Sequence, residues 1–175
     1  MKKFASLLVA LALVLTSVSA LAAVVPSKTS GDIAIIVPLT DGVWMKPVPY
    51  DFKAEAEVRR LQNAFISGKS LEKVFNIYVA TEIAGAKDLL DVIAVKCGGE
   101  TEEETVQFAV FGSNAYAGQV LCVMGVYNAA LKLYEYVVLP TECNADGSAT
   151  ITLNYAEEFV PAAKAESVVL AFVKL

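Results

Sequence analysis

The segment Ser167-Val168-Val169-Leu170-Ala171-Phe172-Val173 lies near the end of the 175-residue chain and gives the clearest indication of its fold. Apolar residues fill consecutive positions, whereas a strand with one face in water would alternate apolar and polar side chains. Because successive side chains of a strand point to opposite faces, both faces of this strand must be covered. The segment therefore predicts a central strand, or one that is covered on both sides.

Six further segments have the β-branched or alternating composition of strands. In the last of them, Ala149, Ile151 and Leu153 alternate with polar residues, as in a strand with one buried face. Asn128-Ala129-Ala130 predicts a hairpin turn between two of the others. The six segments are residues 33–37, 90–97, 105–111, 119–127, 131–139 and 148–154. Short turns between most of them favour a sandwich or barrel of about seven, mostly antiparallel strands.

One amphipathic helix is predicted before this β-rich half. Asp51 is a candidate N-cap, and Gly68 is a typical residue just past a helix end. Apolar side chains at helical spacing lie on one face, so we expect a helix at about 51–67 to pack on the sheets. These side chains are Ala54, Val58, Leu61 and Phe65. Residues 76–89 suit either helix or strand, so the chain has one or two helices. The predicted class is α+β, mainly β, in a single domain over residues 32–175.

The N-terminus has the features of a secretory signal peptide. Lys2 and Lys3 precede an apolar stretch over residues 4–15, and Ala20-Leu21-Ala22 fits the small-residue pattern of a cleavage site. We expect a signal peptide at residues 1–22, cleaved after Ala22, with cleavage after Ala20 as the alternative.

Cleavage would give a secreted, extracellular protein without a membrane span, beginning with a short leader at residues 23–31. The alternative is an uncleaved N-terminal membrane anchor. Residues 4–25 carry no charge and are long enough to cross a bilayer.

Composition excludes several classes of site. The chain carries 14 Lys and Arg against 19 Asp and Glu, a net charge of −5, and has no basic run typical of nucleic-acid binding. It contains no histidine, which excludes Ser/His and Cys/His nucleophilic sites and His-ligated metal centres. Asn144, Asp146 and Ser148 have the spacing at which a calcium loop begins, but Ala149 stands where glycine is needed. We expect no metal, no cofactor and no nucleic-acid partner.

Three cysteines, Cys97, Cys122 and Cys143, allow at most one intramolecular disulfide. Cys122 lies inside an apolar run, where it would serve as a small buried hydrophobic residue. Cys97 and Cys143 lie at the ends of predicted strands and are the better candidates for a disulfide.

A stretch at residues 43–50 holds Trp44, the only tryptophan, and Tyr50 in an irregular loop that Pro47 and Pro49 stiffen. Exposed aromatic rings stack on the apolar faces of sugars or anchor a protein contact. The leading hypothesis is a secreted, non-catalytic domain that binds a glycan or a protein through Trp44 and Tyr50 or through a sheet face. In the alternative reading of this loop, the two rings only pin it onto the sandwich.

Two other functions remain open. A structural or assembly role, in the envelope or as a homo-oligomer, would use the apolar strands and the unpaired cysteine. A carboxylate-dependent hydrolase is the third hypothesis. Glu135, between two tyrosines, is its candidate acid, because burial would raise the pKa of that carboxyl.

The chain resembles a group of short secreted proteins from Gram-positive anaerobic bacteria. The likeness is carried by residues 25–30, by the helix pattern Leu61-x-x-Ala64-Phe65-x-x-Gly68-x-Ser70-x-Glu72-x-Val74-Phe75, and by the closing run Val168-Val169-Leu170-Ala171-Phe172-Val173. The β-rich half is also similar to Ig-like modules of secreted bacterial proteins in strand count and turn spacing. These resemblances imply an extracellular location and an Ig-like arrangement of strands, and they assign no site residue.

The signal-peptide hypothesis predicts the N-terminal residue of the exported protein. When the whole chain is expressed in a secreting bacterium, mass spectrometry of the medium should find a protein that begins at Ala23. A start at Leu21 would indicate the alternative cleavage site. Retention of the intact chain in the membrane fraction would instead support the uncleaved anchor.

Overall fold

The structure is a computed structural model that describes residues 35–48, 51–112, 115–154 and 167–175. These ranges contain nine strands: β1 (Ile35–Pro38), β2 (Val43–Pro47), β3 (Asp88–Gly99), β4 (Thr105–Phe111), β5 (Val120–Asn128), β6 (Leu133–Leu139), β7 (Thr141–Cys143), β8 (Ala149–Asn154) and β9 (Ser167–Lys174). They also contain three helices: α1 (Phe52–Ile66), α2 (Leu71–Val74) and α3 (Ile77–Glu82). The predicted signal peptide and leader lie outside the described residues.

The strands pair antiparallel in two sheets. The four-stranded sheet has the order β1-β4-β8-β7, and the five-stranded sheet has the order β2-β3-β9-β5-β6. The two sheets remain open and enclose one apolar core between their facing sides. The predicted α+β class, mainly β, is confirmed, and of the two predicted arrangements the molecule adopts the sandwich.

Strand β9 is the centre of the five-stranded sheet and is buried on both faces, as its sequence predicts. It pairs with β3 on one side and β5 on the other. The side chains that enter the core between the sheets are Val168, Leu170 and Phe172. Those that enter a second core, beneath the helices, are Val169, Ala171 and Val173.

Helix α1 packs on the outer face of the five-stranded sheet, as predicted. Its first turn is capped by Asp51, whose carboxylate accepts hydrogen bonds of 3.0 Å from the backbone N–H groups of Lys53 and Ala54. Gly68, with a φ of 62°, follows the C-cap Ser67. The segment at 76–89, ambiguous in sequence, contains helix α3. Among the described residues, no helix is both long enough and apolar enough to cross a membrane.

Two strands differ from the prediction. The sequence placed Trp44 in an irregular loop, but the structure places it in β2. That strand is at the edge of its sheet, where the missing N–H of Pro47 breaks no ladder between strands. Strand β7 has three residues, which is too short for alternation to reveal.

A buried polar pair ties the segment after β4 to the inter-sheet core. The Tyr116 hydroxyl donates to the Asp91 carboxylate at 2.9 Å, and the Tyr116 ring stacks on Phe172 with centroids 4.7 Å apart. Burial, and after it the Asp91 charge, raises the pKa of Tyr116 well above its usual value, so this hydroxyl keeps its proton. Gly112 approaches so closely that a β-carbon there would lie 2.2 Å from the Tyr116 oxygen.

The double burial of β9 predicts that substitutions on either of its faces destabilise the protein. Leu170→Ala should cost about 2–5 kcal/mol, because it leaves a cavity between the sheets. Ala171→Leu should cost about 1–3 kcal/mol, because it overpacks the contact beneath the helices. Urea unfolding measures both.

Leu131→Ala is the control for these substitutions, because Leu131 is 59% exposed. It should change the free energy of unfolding by less than about 0.5 kcal/mol. A stability loss confined to Leu170→Ala would contradict the double coverage.

Candidate functional site

Trp44, the aromatic residue singled out in the sequence, lies on the helix-bearing side of the five-stranded sheet. Its ring lies across the neighbouring strand at Gly98, where a β-carbon would be 2.2 Å from the ring. The Lys46 amine is 5.1 Å from the ring centroid, and Trp44 remains 37% exposed. The ring is therefore held in place by β3 and yet open to solvent. Tyr50, its predicted partner, lies outside the described residues.

A cleft opens on the same side of the sheet, between the first half of α1 and the β5–β6 hairpin. It encloses about 590 Å³, and a second depression of about 480 Å³ adjoins it on the side of β3. The polar and aromatic side chains that line them include Lys53, Glu57, Arg60, Tyr127, Lys132, Tyr134 and Tyr136 in the first, and Asp51, Lys96 and Ser167 in the second. The two depressions share Lys53, Tyr127 and Tyr134, and together we call them the tyrosine cleft.

A pair of half-buried tyrosines lies at the middle of the tyrosine cleft. Tyr127 on β5 and Tyr134 on β6 are direct cross-strand partners, with ring centroids 5.5 Å apart in an edge-to-face arrangement. The Lys53 amine lies 4.4 Å from the centroid of the Tyr127 ring. The side-chain oxygen of Asn128 accepts two backbone N–H groups in the turn, which helps to fix this register.

One wall of the cleft is an ionic network that satisfies its own charges. Arg60 donates from Nε at 2.8 Å to one oxygen of Glu57 and from Nη2 at 2.7 Å to the other. It also donates to the Tyr136 hydroxyl, which itself donates to Glu57. The hydrogen bonds that Arg60 donates to Glu57 raise the pKa of Arg60, and burial followed by the Glu57 charge raises the pKa of Tyr136. These groups therefore keep their protons and support the wall.

Tyr136 reaches this wall because Gly125 lies opposite it on β5. A β-carbon at Gly125 would be 2.7 Å from the tyrosine ring. The side-chain amide of Asn76 donates to the Tyr136 carbonyl at 3.1 Å and so occupies a backbone acceptor of the edge strand β6.

Asp51 is the second carboxylate of the cleft, and it is used as the cap of α1. Partial burial acts to raise the pKa of Asp51, but hydrogen bonds from the Ala54 N–H, the Ser167 hydroxyl and the Lys53 N–H outweigh it and lower the pKa. The cap thus joins the start of α1 to the start of β9. It also fixes the backbone from which Lys53 extends over Tyr127.

The remaining sequence candidates lie outside the cleft. Glu135 points to the opposite side of β6 from its tyrosine neighbours, is half-buried, and accepts a hydrogen bond of 3.0 Å from Asn128. Cys97 and Cys143 are free thiols in the structure, which does not form the disulfide considered from the sequence. Both pack in the inter-sheet core, where burial raises the pKa of Cys97 to about 12. Across the described parts of the chain, no three Cys, Asp or Glu side chains converge as a metal site would require.

Sequence reasoning missed the residues that form the cleft. The predicted turn Asn128-Ala129-Ala130 would pair Tyr127 with Leu131, whereas in the structure Asn128 pairs with Leu133 and the register brings Tyr127 opposite Tyr134. No local pattern brings Lys53 from α1 or Lys96 from β3 to the same place.

The arrangement supplies groups for binding: aromatic ring area, hydroxyls and amines around an open cleft. The two carboxylates of the cleft are engaged, one as a helix cap and one with Arg60. Comparison with known proteins finds no matching family model, no similar curated protein and no similar solved structure.

The Asp51 cap predicts a pH-dependent stability. Asp51→Ala should cost about 0.5–2 kcal/mol at neutral pH, whereas Asp51→Asn, an equally good N-cap, should cost much less. Because the folded-state pKa is lowered, the contribution of the charged cap is complete above the unfolded-state pKa of about 3.9 and is lost as the pH falls through the folded value.

Urea unfolding of the wild type and both variants, at neutral pH and in acid, tests this. The gap between wild type and Asp51→Ala should narrow in acid. A gap that widens there would contradict the assigned role of the charged cap.

Proposed function

We propose that the protein is a secreted, non-catalytic binding domain that holds a glycan in the tyrosine cleft. The observation that carries this proposal is the pair Tyr127–Tyr134. The two rings are half-buried, fixed by a strand register, and face an open cleft that polar and charged side chains also line. A glycan is preferred over a protein because the cleft combines ring faces with hydroxyls and amines, which match the apolar and polar faces of a sugar.

Tyrosine is suited to this task for physical reasons. Its ring offers a large apolar surface and its hydroxyl a polar edge, so one side chain contacts both the C–H face and the hydroxyl groups of a sugar. It has only two side-chain torsions, so little conformational entropy is lost on binding. The hairpin and the Lys53 contact restrict Tyr127 further before any ligand arrives.

Trp44 is the outer end of the proposed binding face. It lies on β2 and Tyr134 lies on β6, four strand spacings apart across the same side of the sheet. At about 4.8 Å per spacing this corresponds to about 19 Å, a distance that suits a chain-like ligand. The sequence hypothesis of a Trp44 contact therefore becomes part of a larger surface, with Tyr127 and Tyr134 as its centre.

Secretion is the second part of the proposal and is supported by the N-terminal sequence. Lys2 and Lys3, the apolar stretch and the Ala20-Leu21-Ala22 pattern favour export. An exported domain without a catalytic site would meet glycans of a cell surface or of the surroundings.

Tyrosine substitutions test the binding site. Tyr127→Ala and Tyr134→Ala should each weaken binding to a recognised polysaccharide about tenfold, because each removes one stacking ring. Affinity electrophoresis of the purified secreted protein through gels that contain single polysaccharides measures this. Quenching of Trp44 emission by acrylamide, with and without polysaccharide, shows whether the ligand reaches β2.

Tyr78→Ala is the matched control, since Tyr78 is a 66% exposed tyrosine on α3 that does not line the cleft. Its affinity should equal that of the wild type, and circular dichroism should show all three variants folded. Binding that survives both cleft substitutions would refute the proposed site.

A second candidate, self-assembly, is favoured by exposed apolar side chains next to the cleft. Leu131 and Leu133 on the hairpin are 59% and 48% exposed, and Ile77 on α3 is 75% exposed. Sedimentation of the wild type and of Leu133→Ser decides between the candidates. A dimer that the substitution dissociates would support assembly, whereas a monomer supports the binding domain.

A further inference from the structure

Three lysines reach the tyrosine cleft from three different elements. Lys53 comes from the first turn of α1, Lys132 from the β5–β6 turn and Lys96 from β3. All three are exposed. Their convergence contrasts with the chain as a whole, which has a net charge of −5.

Among the described residues, the carboxylates of the cleft form no salt bridge with these amines. Asp51 is engaged at the helix cap, and Glu57 is held by Arg60 on both oxygens. Within the described ranges, the salt bridges are Arg59–Glu55 and Arg60–Glu57, both inside α1. The described side chains that line the cleft thus carry four cations, Lys53, Arg60, Lys96 and Lys132, against these two carboxylates.

The excess of positive charge is local to the cleft. Beyond Trp44, the chain continues from β3 through Gly99 into the exposed acidic residues Glu100, Glu102, Glu103 and Glu104. The tyrosine cleft is therefore basic, whereas the connection from β3 to β4, which leads from the five-stranded sheet to the four-stranded sheet, is acidic. An elongated anion would be attracted to the first region and repelled from the second.

We propose that the ligand of the tyrosine cleft is an anionic glycan. This inference rests on the proposed function and names the chemical class of the ligand. The Tyr127 and Tyr134 rings pack on the sugar faces, while Lys53, Lys96 and Lys132 pair with acidic substituents along the chain. Lysine is a point charge without the fork geometry of arginine, so the site selects for negative charge and accepts carboxylate or sulfate alike.

Matched polysaccharide pairs test this inference on the purified secreted protein. Dextran sulfate is compared with dextran, and polygalacturonate with its methyl ester, so that only the charge changes within a pair. At about 50 mM NaCl the charged member should bind about tenfold more tightly, and at about 500 mM NaCl the preference should largely disappear. Because the site accepts either group, the preference should appear in both pairs, and a preference in one pair alone would identify the ligand as sulfated or as carboxylated.

Two triple variants with the same change in net charge provide the control. Replacing the cleft lysines (Lys53→Gln, Lys96→Gln and Lys132→Gln together) should abolish the preference. Replacing exposed lysines that follow α1, precede β3 and end β9 (Lys69→Gln, Lys87→Gln and Lys174→Gln together) should preserve it. Equal loss in both variants would show unspecific attraction and overturn the inference.

The remaining outcomes separate this inference from the proposed function. If charged and neutral polysaccharides bind equally and only the tyrosine substitutions weaken binding, the glycan site stands and the anionic ligand is refuted. If no polysaccharide binds, both fail. If a single-stranded oligonucleotide displaces the polysaccharide and binds more tightly through the same lysines, the ligand is a nucleic acid and the glycan assignment is overturned.

Discussion

The coverage of β9 on both faces is the constraint on which the rest of the structure depends. Its alternate side chains enter two cores at once, so the four-stranded sheet must cover one side and α1 the other. A strand this apolar cannot lie at the edge of a sheet without exposing backbone groups beside hydrophobic side chains. Val169 and Ala171 are buried beneath the helices, and Leu170 and Phe172 are buried between the sheets. The helix layer and the second sheet must therefore lie on opposite sides of β9.

The cleft follows from the limited reach of the helix layer. Helix α1 begins at Asp51 and covers only part of a sheet five strands wide, so aromatic side chains on neighbouring strands remain partly open. Glycine opposite an aromatic residue recurs on this side, with Gly98 beneath Trp44 and Gly125 beneath Tyr136. In both cases the absent β-carbon lets a ring lie across the next strand; Tyr136 is also covered by Phe75, whereas Trp44 stays 37% exposed.

Charge in this region is divided between structural and available groups. Glu57 is nearly buried and accepts hydrogen bonds from Arg60. A carboxylate buried without such a partner would be strongly destabilising, so the pair has a structural role. Asp51 is likewise committed to the helix it begins. Lys53, Lys96 and Lys132 form none of the salt bridges found among the described residues. Their exposed amines make the cleft locally basic in an acidic protein, and this local charge is the physical basis for an anionic ligand.

The sequence by itself determined the local elements, because a strand with two buried faces, a capped amphipathic helix and an alternating strand each have a periodic pattern within a few residues. It could not determine β2, since Pro47 and the nearby Pro49 indicated a loop and only pairing with β3 makes residues 43–47 a strand. The cleft was decided by tertiary structure alone. Tyr127 meets Tyr134 through a strand register, and Lys53 and Lys96 arrive from elements far apart in the chain. These contacts depend on which layers pack together, and the local periodicity of the sequence does not indicate that packing.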